Sequence, residues 1–403
     1  MIEPRIVVFS SLFPTKEQPG AGVFIRERMF RVGKEFPLIV VSPKPWFPFQ
    51  NMIRKFKPHF RPECSSFEMQ EGTPVYQPRF FCIPGVFKFL DGYFMAISSF
   101  VLLKKLQKEF EFNVIDSHFA FPDGKAATLL GRWFNVPVTV TLRGTEIPQS
   151  QNTLQRNMLI SALTNADQIF SVSNSLKKHA ISLGIKKTKI SVVGNGVDVE
   201  KFYSVDGAEL REKLNIPLDA KVLITIGGLV ERKGFHRVIN VLPQLQKKFP
   251  KIHYLIVGGA SAEGNTEAQL RELSKDLGFE KNVHFLGTMQ AEDIKQPLSA
   301  ADLFVLSTRN EGWANVLLES LACGIPVIAS DVGGNAEVIC NNNLGRIVPF
   351  DDASALYDAI TESLEIEWDK NGLVQYAKEN SWDSRVAVLK TEFNNIVNHW
   401  KVE

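Results

Sequence analysis

At 403 residues the chain is too long for a single compact core and suits two domains of about 150–200 residues each. A hydrophobic content of 44% with 22% charged residues is ordinary for a globular protein and excludes disordered, collagen-like and coiled-coil classes. The four cysteines, Cys64, Cys82, Cys323 and Cys340, form no CxxC pair and have no histidine at metal spacing, which argues against structural zinc or a disulfide framework and for a reducing compartment. The net charge of +2 hides an asymmetry: residues 1–200 carry 25 Lys+Arg against 16 Asp+Glu, residues 201–403 carry 21 against 28. A basic half next to an acidic half predicts that the first half meets an anionic surface or acceptor.

In chain order, the first apolar run, Ile6–Phe9, is far shorter than a signal-peptide core, and no stretch reaches the roughly 18 apolar residues of a membrane span. The expectation is a soluble, cytoplasmic protein, at most peripheral to a membrane. Short β-branched runs alternate with helical stretches, the pattern of parallel sheets with crossover helices. Six strands are predicted in the first half: Ile6–Phe9, Leu38–Val41, Val114–Ser117, Val138–Thr141, Ile169–Val172 and Ile190–Val193. Six more follow: Val222–Ile226, Tyr254–Val257, Val283–Leu286, Leu303–Leu306, Val327–Ala329 and Arg346–Val348. The turn-forming run Asn195-Gly196-Val197-Asp198 marks the break.

Residues 44–110 interrupt this rhythm with Pro and Phe. Within 44–61 five bases (Lys44, Arg54, Lys55, Lys57, Arg61) stand without an acid, interleaved with aromatics. That composition suits a membrane interface or an anionic lipid-linked acceptor, and equally an insertion packed on its domain. It would also suit base stacking, but no nucleic-acid-binding motif accompanies it. Phe94–Phe110 is predicted as a core helix on the spacing of Ile97, Phe100, Val101 and Leu103.

Chemistry concentrates at Asn310-Glu311-Gly312-Trp313-Ala314-Asn315-Val316 and on to Glu319. The two glutamates are spaced Glu-x7-Glu, the first in a loop after a strand, the second inside a helix stopped by Gly324 and Pro326. Free N–H groups at the helix start favour an anion by about 0.3–2 kcal/mol. Glu319 can accept from both hydroxyls of a ribose and Glu311 from sugar hydroxyls, each such bond being worth about 1.5–3 kcal/mol.

Glu-x7-Glu followed by Gly-x-Pro-Val-Ile and by Gly333-Gly334-Asn335-Ala336-Glu337 resembles the donor-site signature of retaining GT-B glycosyltransferases, specifically family 4. Further motifs match in order: Gly20-Ala21-Gly22-Val23-Phe24, Asp116-Ser117-His118-Phe119-Ala120, Gly194-Asn195-Gly196-Val197-Asp198, the phosphate loop Gly227 to Gly234, and Ser381-Trp382. The resemblance implies an α/β fold of the GT-B type, with two Rossmann-like doubly wound domains facing a central cleft. The first domain would be 1–198, binding the acceptor, with 385–403 crossing back onto it; the second, 199–384, would bind the nucleotide-sugar donor.

It also implies roles. Lys233 would pair with the donor diphosphate, and Arg232 would assist. Glu319 would hold the ribose, Met289 would lie near the base, and Glu311 with the backbone of Gly312, Trp313, Ala314, Asn315 and Val316 would hold the transferred sugar. Gly22 would let a helix start approach phosphates or the acceptor. His118 would reach the sugar or the reacting centre, making Glu311 and His118 the catalytic pair, with His118 and Arg143 on the acceptor side. The family's phosphate loop commonly carries Arg where Gly228 stands, and often Thr-x-His-Gly where this chain has Thr141-Leu142-Arg143-Gly144; the arginine suggests an anionic acceptor or sugar.

The implied reaction is retaining transfer from a nucleotide diphosphate sugar to a glycan or lipid-linked saccharide, in cell-surface polysaccharide biosynthesis. No DxD-like motif is placed for a metal, so no metal or other cofactor is expected. A non-catalytic sugar-nucleotide-binding subunit of a polysaccharide-assembly complex is the alternative. A nicotinamide-dependent oxidoreductase is disfavoured, because Ser10-Ser11-Leu12-Phe13-Pro14 follows the first strand where a Gly-x-Gly-x-x-Gly would be needed.

Overall fold

The computed structural model describes residues 2–56, 61, 63–261 and 263–400; Lys57, one of the five bases noted above, lies outside them. The chain divides into two units, Met1–Asn195 with Trp382–Glu403, and Gly196–Ser381. The boundaries at 198/199 and 384/385 expected from sequence fall three residues further along than these.

In the first unit the strands are β1 (Ile6–Phe9), β2 (Leu38–Val41), β3 (Lys44–Trp46), β4 (Phe67–Gln70), β5 (Thr73–Tyr76), β6 (Arg79–Phe81), β7 (Val114–His118), β8 (Val138–Leu142), β9 (Gln168–Ser171) and β10 (Ile190–Val192). Eight form one sheet in the order β10-β9-β8-β7-β1-β2-β5-β4, parallel except for β4 against β5. Every residue of β1, β2, β7 and β8 is buried, as a sheet covered on both faces requires. All six predicted strands are present. The stretch 44–81 adds four more: β4 and β5 extend the main sheet, while β3 and β6 pair as a separate parallel ribbon.

The helix predicted at Phe94–Phe110 runs from Asp91 to Glu109, but its buried face is Met95, Ala96, Ser99, Leu103 and Leu106. Ile97 and Val101 point to solvent, which corrects their assignment to the core. An i, i+4 spacing identifies a stripe without saying which side of the helix the sheet will cover. The last helix, Trp382–His399, completes the first unit: Val386, Leu389, Phe393 and Val397 join Ile25, Met29 and Phe170 in its core, with the Phe393 ring edge-on to Phe170 at 5.8 Å.

In the second unit β11 (Lys221–Ile226), β12 (Ile252–Val257), β13 (Val283–Gly287), β14 (Leu303–Leu306), β15 (Val327–Ser330) and β16 (Gly345–Val348) form a six-stranded parallel sheet in the order β13-β12-β11-β14-β15-β16. Alternation along β11 builds two cores: Val222, Ile224 and Ile226 face one apolar layer, Leu223 the other. The sheet order reverses between β11 and β14, and in the first unit between β1 and β7. Open α/β sheets bind ligands beyond the carboxyl ends of strands at such reversals.

Candidate active site

In the second unit, two loops leave the reversal side by side. The loop after β11 makes a single turn at Glu231–Lys233 and ends on Gly234 in the left-handed conformation (φ 79°). A Cβ at Gly234 would lie 1.8 Å from the Ser307 carbonyl oxygen, so only glycine lets this loop press against the start of the loop after β14. The Arg309 N–H then donates to the Arg232 carbonyl at 2.8 Å. Gly333, after β15, closes the third side: with φ 57°, its Cβ would lie 1.7 Å from the Glu311 carbonyl oxygen.

This backbone arrangement brings Lys233 Nζ to 2.5 Å from Glu311 Oε1. Thr308 Oγ1 donates to the same oxygen at 3.3 Å, and an Arg232 NH group stands 3.5 Å from it. Arg232 is itself engaged by Glu263 at 2.6 and 2.8 Å, which raises the pKa of the guanidinium and lowers that of the carboxylate. Arg232 and Lys233, from the phosphate loop, and Glu311, from the Glu-x7-Glu motif, thus converge on one point. Thr308 and Glu263 belong to the same cluster and carried no sequence signal of their own.

Gly312 and Trp313 follow Glu311 directly. The helix Asn315–Ala322 begins at Ala314, an extended residue that offers no side-chain cap and whose carbonyl accepts from the Leu317 N–H at 3.1 Å. Glu319 stands one turn in, half-buried. Met289, Trp313 and Val316 rest partly buried against the core, with the Trp313 indole N–H buried and unpaired.

In the first unit, the other candidates meet at the ends of β7 and β8. His118 is fully buried. Its Nδ1 accepts from Arg143 Nε at 3.2 Å and lies 2.9 Å from a terminal guanidinium nitrogen, while Nε2 lies 3.3 Å from Asp116 Oδ2. Asp116 Oδ1 accepts from Thr139 Oγ1 at 2.5 Å. Arg143 also donates to Asn195 Oδ1 at 3.2 Å and stacks over Phe24 at 4.8 Å.

Burial, with Arg143 reinforcing it and Asp116 opposing, pushes the His118 pKa down to about 4, so the imidazole is neutral near pH 7. Burial and the nearby Arg28 likewise lower that of Arg143 well below its usual value. As placed here, His118 turns no face to a ligand; Arg143 covers it, and Arg143 is the charged group that the loop presents. Arg28 is buried with two guanidinium nitrogens unpaired, its third donating to the Val193 carbonyl at 2.6 Å.

Gly22 sits left-handed at the start of the helix Val23–Val32, and a Cβ on it would meet the Leu12 carbonyl at 2.6 Å; its close approach is to the chain's own loop. Asp123, which sequence reasoning passed over, is buried near that loop, accepting from the Ser11 amide and, at 3.1 Å, from the Ser11 hydroxyl. Burial pushes its pKa up to about 6. Among the described residues no three His, Cys, Asp or Glu side chains cluster as metal ligands, and no helix is long and apolar enough to cross a membrane.

Two Rossmann-like parallel sheets, with cations and glycines at the reversal of the second, define a glycosyltransferase of the GT-B fold. Two family profiles match: Glycosyltransferase Family 4 over residues 56–201 and Glycosyl transferases group 1 over residues 206–380. The chain belongs to family 4 of the glycosyltransferases. TuaC of Bacillus subtilis, described as a teichuronic acid biosynthesis glycosyltransferase, is 28% identical over 95% of this chain and 92% of its own. The D-inositol 3-phosphate glycosyltransferase of Corynebacterium urealyticum is 28% identical over 73% of this chain and 74% of its own. Among solved structures, Anabaena HepE in complex with UDP superposes with a TM-score of 0.73 at 17% identity, covering 97% of this chain and all of that one.

Proposed function

We propose that this glycosyltransferase transfers a sugar, with retention of configuration, from a nucleotide diphosphate sugar to an anionic, lipid-linked saccharide acceptor in cell-surface polysaccharide synthesis. The observation that carries the reading is the Lys233–Glu311 pair at the β11/β14 reversal. A diphosphate entering there competes with Glu311 for the ammonium of Lys233. Its arrival frees the Glu311 carboxylate to accept from a hydroxyl of the transferred sugar, so charge neutralisation and sugar positioning are coupled through one ion pair. The dipole at the start of the helix Asn315–Ala322 favours the negative sugar phosphate, and Glu319 accepts from the ribose.

With the leaving phosphate neutralised by Lys233 and this helix dipole, departure of the diphosphate needs no metal. The leaving oxygen itself can take the acceptor proton, so neither Glu311 nor the neutral, buried His118 has to act as a base. Arg143, a guanidinium offered at the end of β8, suits a phosphate or carboxylate on the acceptor. The TuaC and inositol 3-phosphate relatives support anionic acceptors, and the UDP complex of HepE makes UDP-sugars the first donors to try.

Thermal unfolding of the purified protein against UDP-, GDP-, ADP- and dTDP-sugars tests the reading. Saturation at a hundredfold excess over Kd stabilises by about 2.7 kcal/mol. One donor should raise Tm in the native protein and fail to do so in Lys233→Ala and Glu319→Ala. Equal shifts in both variants would remove the site assignment, and no shift with any donor would remove the donor class.

A further inference from the structure

Apolar side chains left in solvent gather in one stretch of the first unit. Of 23 large exposed hydrophobic residues among those described, twelve lie between Trp46 and Val101. Their arrangement inverts ordinary packing. In the short helix Gln50–Phe56 the polar Gln50 is buried, whereas Met52 and Phe56, spaced i, i+4 on one face, are 60% and 86% exposed, and Phe49, left-handed just before the helix at φ 67°, is 79% exposed. The long helix Asp91–Glu109 buries an apolar face and still carries Tyr93, Ile97 and Val101 in an outward row, the latter two 63% and 75% exposed. The β3–β6 ribbon adds two more exposed rings: Trp46 is partnered with Phe81, and Phe81 packs edge-on to Phe94 of the long helix at 5.5 Å.

Cations surround this apolar surface. Residues 44–108 carry ten Lys+Arg against four Asp+Glu, and two of the four acids, Glu68 and Asp91, are buried. Lys55, Arg79, Lys104, Lys105 and Lys108 are exposed. Cores of protein–protein interfaces are depleted in lysine, whereas an anionic lipid surface rewards apolar side chains that enter the acyl boundary with lysines and arginines level with the headgroups.

We propose that this surface, made by the described exposed residues between Trp46 and Phe56 and between Phe81 and Val101, docks the protein on an anionic bilayer. It depends on the transfer reading only for its purpose, delivery of the enzyme to a lipid-linked acceptor; the docking itself requires no donor. Sedimentation of the full chain with phosphatidylcholine vesicles, with and without phosphatidylglycerol, tests it. The native protein should bind the anionic vesicles at least about tenfold more tightly than the neutral ones. Phe49→Ser, Met52→Ser and Phe56→Ser combined should lose that binding by about tenfold or more, as should Lys55→Glu with Arg79→Glu. Ile97→Ser with Val101→Ser, on a different element, should weaken it too, which separates loss of a surface from loss of one helix.

Donor-dependent thermal shifts should be unchanged in all these variants. Indifference of the native protein to phosphatidylglycerol, no binding to either vesicle, or retained binding by the triple-serine chain would each overturn the proposal. So would sedimentation velocity showing, without lipid, a dimer that the serine variants dissociate, because the surface would then serve a second copy. Loss of the donor shift in Lys233→Ala with vesicle binding intact would leave docking standing whatever becomes of the transfer reading.

Discussion

At Lys233 the positive charge lies in a part-buried cluster against carboxylates that another anion can displace. At Arg143 it is sunk over Phe24 and divided between a neutral histidine and an amide oxygen. The first arrangement keeps a cation ready for exchange: Glu311 holds the space of a phosphate and yields it. The second fixes a cation in one orientation at the cost of burying His118, Asp116 and Arg28 around it. An exchangeable pair suits a ligand whose departure is part of the reaction, and a fixed guanidinium suits one that must be aligned. Stability should therefore depend on the second cluster and donor binding on the first.

The largest effect expected from this contrast is on donor use. Lys233→Ala removes a charged bond worth about 1.5–3 kcal/mol, so kcat/KM for the donor should fall by roughly 10- to 150-fold. Denaturant unfolding of the same variant should show a loss of only about 1 kcal/mol. Arg143→Ala should invert that pattern. It strips the partner from a buried His118 and weakens the compensation of Asp116, costing about 3 kcal/mol in the same denaturant experiment, with donor-induced stabilisation intact. Equal destabilisation by the two substitutions would erase the distinction drawn here.

Next in size is the pH dependence. His118 has a folded pKa of about 4, below its usual 6.5. Between those values the unfolded chain binds the extra proton, and stability is lost as pH falls from 6.5 to 4. Asp123 acts in the opposite sense: raised to about 6, it holds a proton in the folded chain that the unfolded chain releases above about pH 4, so stability falls as pH rises from 4 to 6. The two slopes oppose each other across nearly the same window. Urea titrations from pH 4 to 7 should show a steeper rise of stability with pH in Asp123→Asn than in the native protein, and a fall or a flatter profile in His118→Gln. Parallel profiles for all three would mean that neither group titrates as its burial dictates.

The smallest predicted change is a gain. Glu263→Gln releases Arg232 from its closest partner, and donor Kd should fall about two- to fivefold by isothermal titration, in keeping with the modest energy of an exposed ion pair. No change would leave Lys233 as the cation that decides donor binding.

Twelve of the fourteen strands of the two large sheets were legible because parallel strands buried on both faces read as unbroken β-branched runs. Lys44–Trp46, Phe67–Gln70, Thr73–Tyr76 and Arg79–Phe81 escaped for a local reason. Two of them contain proline, and they build a sheet edge or a detached ribbon, where neither alternation nor continuous apolarity is imposed. At the candidate site, the Glu-x7-Glu spacing located the loop after β14. The meeting of Glu311 with Lys233, 78 residues away, follows instead from a sheet reversal that no local pattern reveals. The covering of His118 by Arg143 was likewise invisible, since burial of the end of β7 is decided by what β8 and the helix Val23–Val32 lay over it.

The terminal helix Trp382–His399 gives the chain an order of assembly that differs from its order of synthesis. The first unit is begun before the second, yet Val386, Leu389, Phe393 and Val397 reach its core only after the second unit has been made. The second unit, contiguous from Gly196 to Ser381, has its whole sheet available earlier. Until residues 382–397 are made, the first unit lacks these four side chains beside Phe170 and Met29, so a chain halted at Ser381 holds the whole second unit and an unfinished older one.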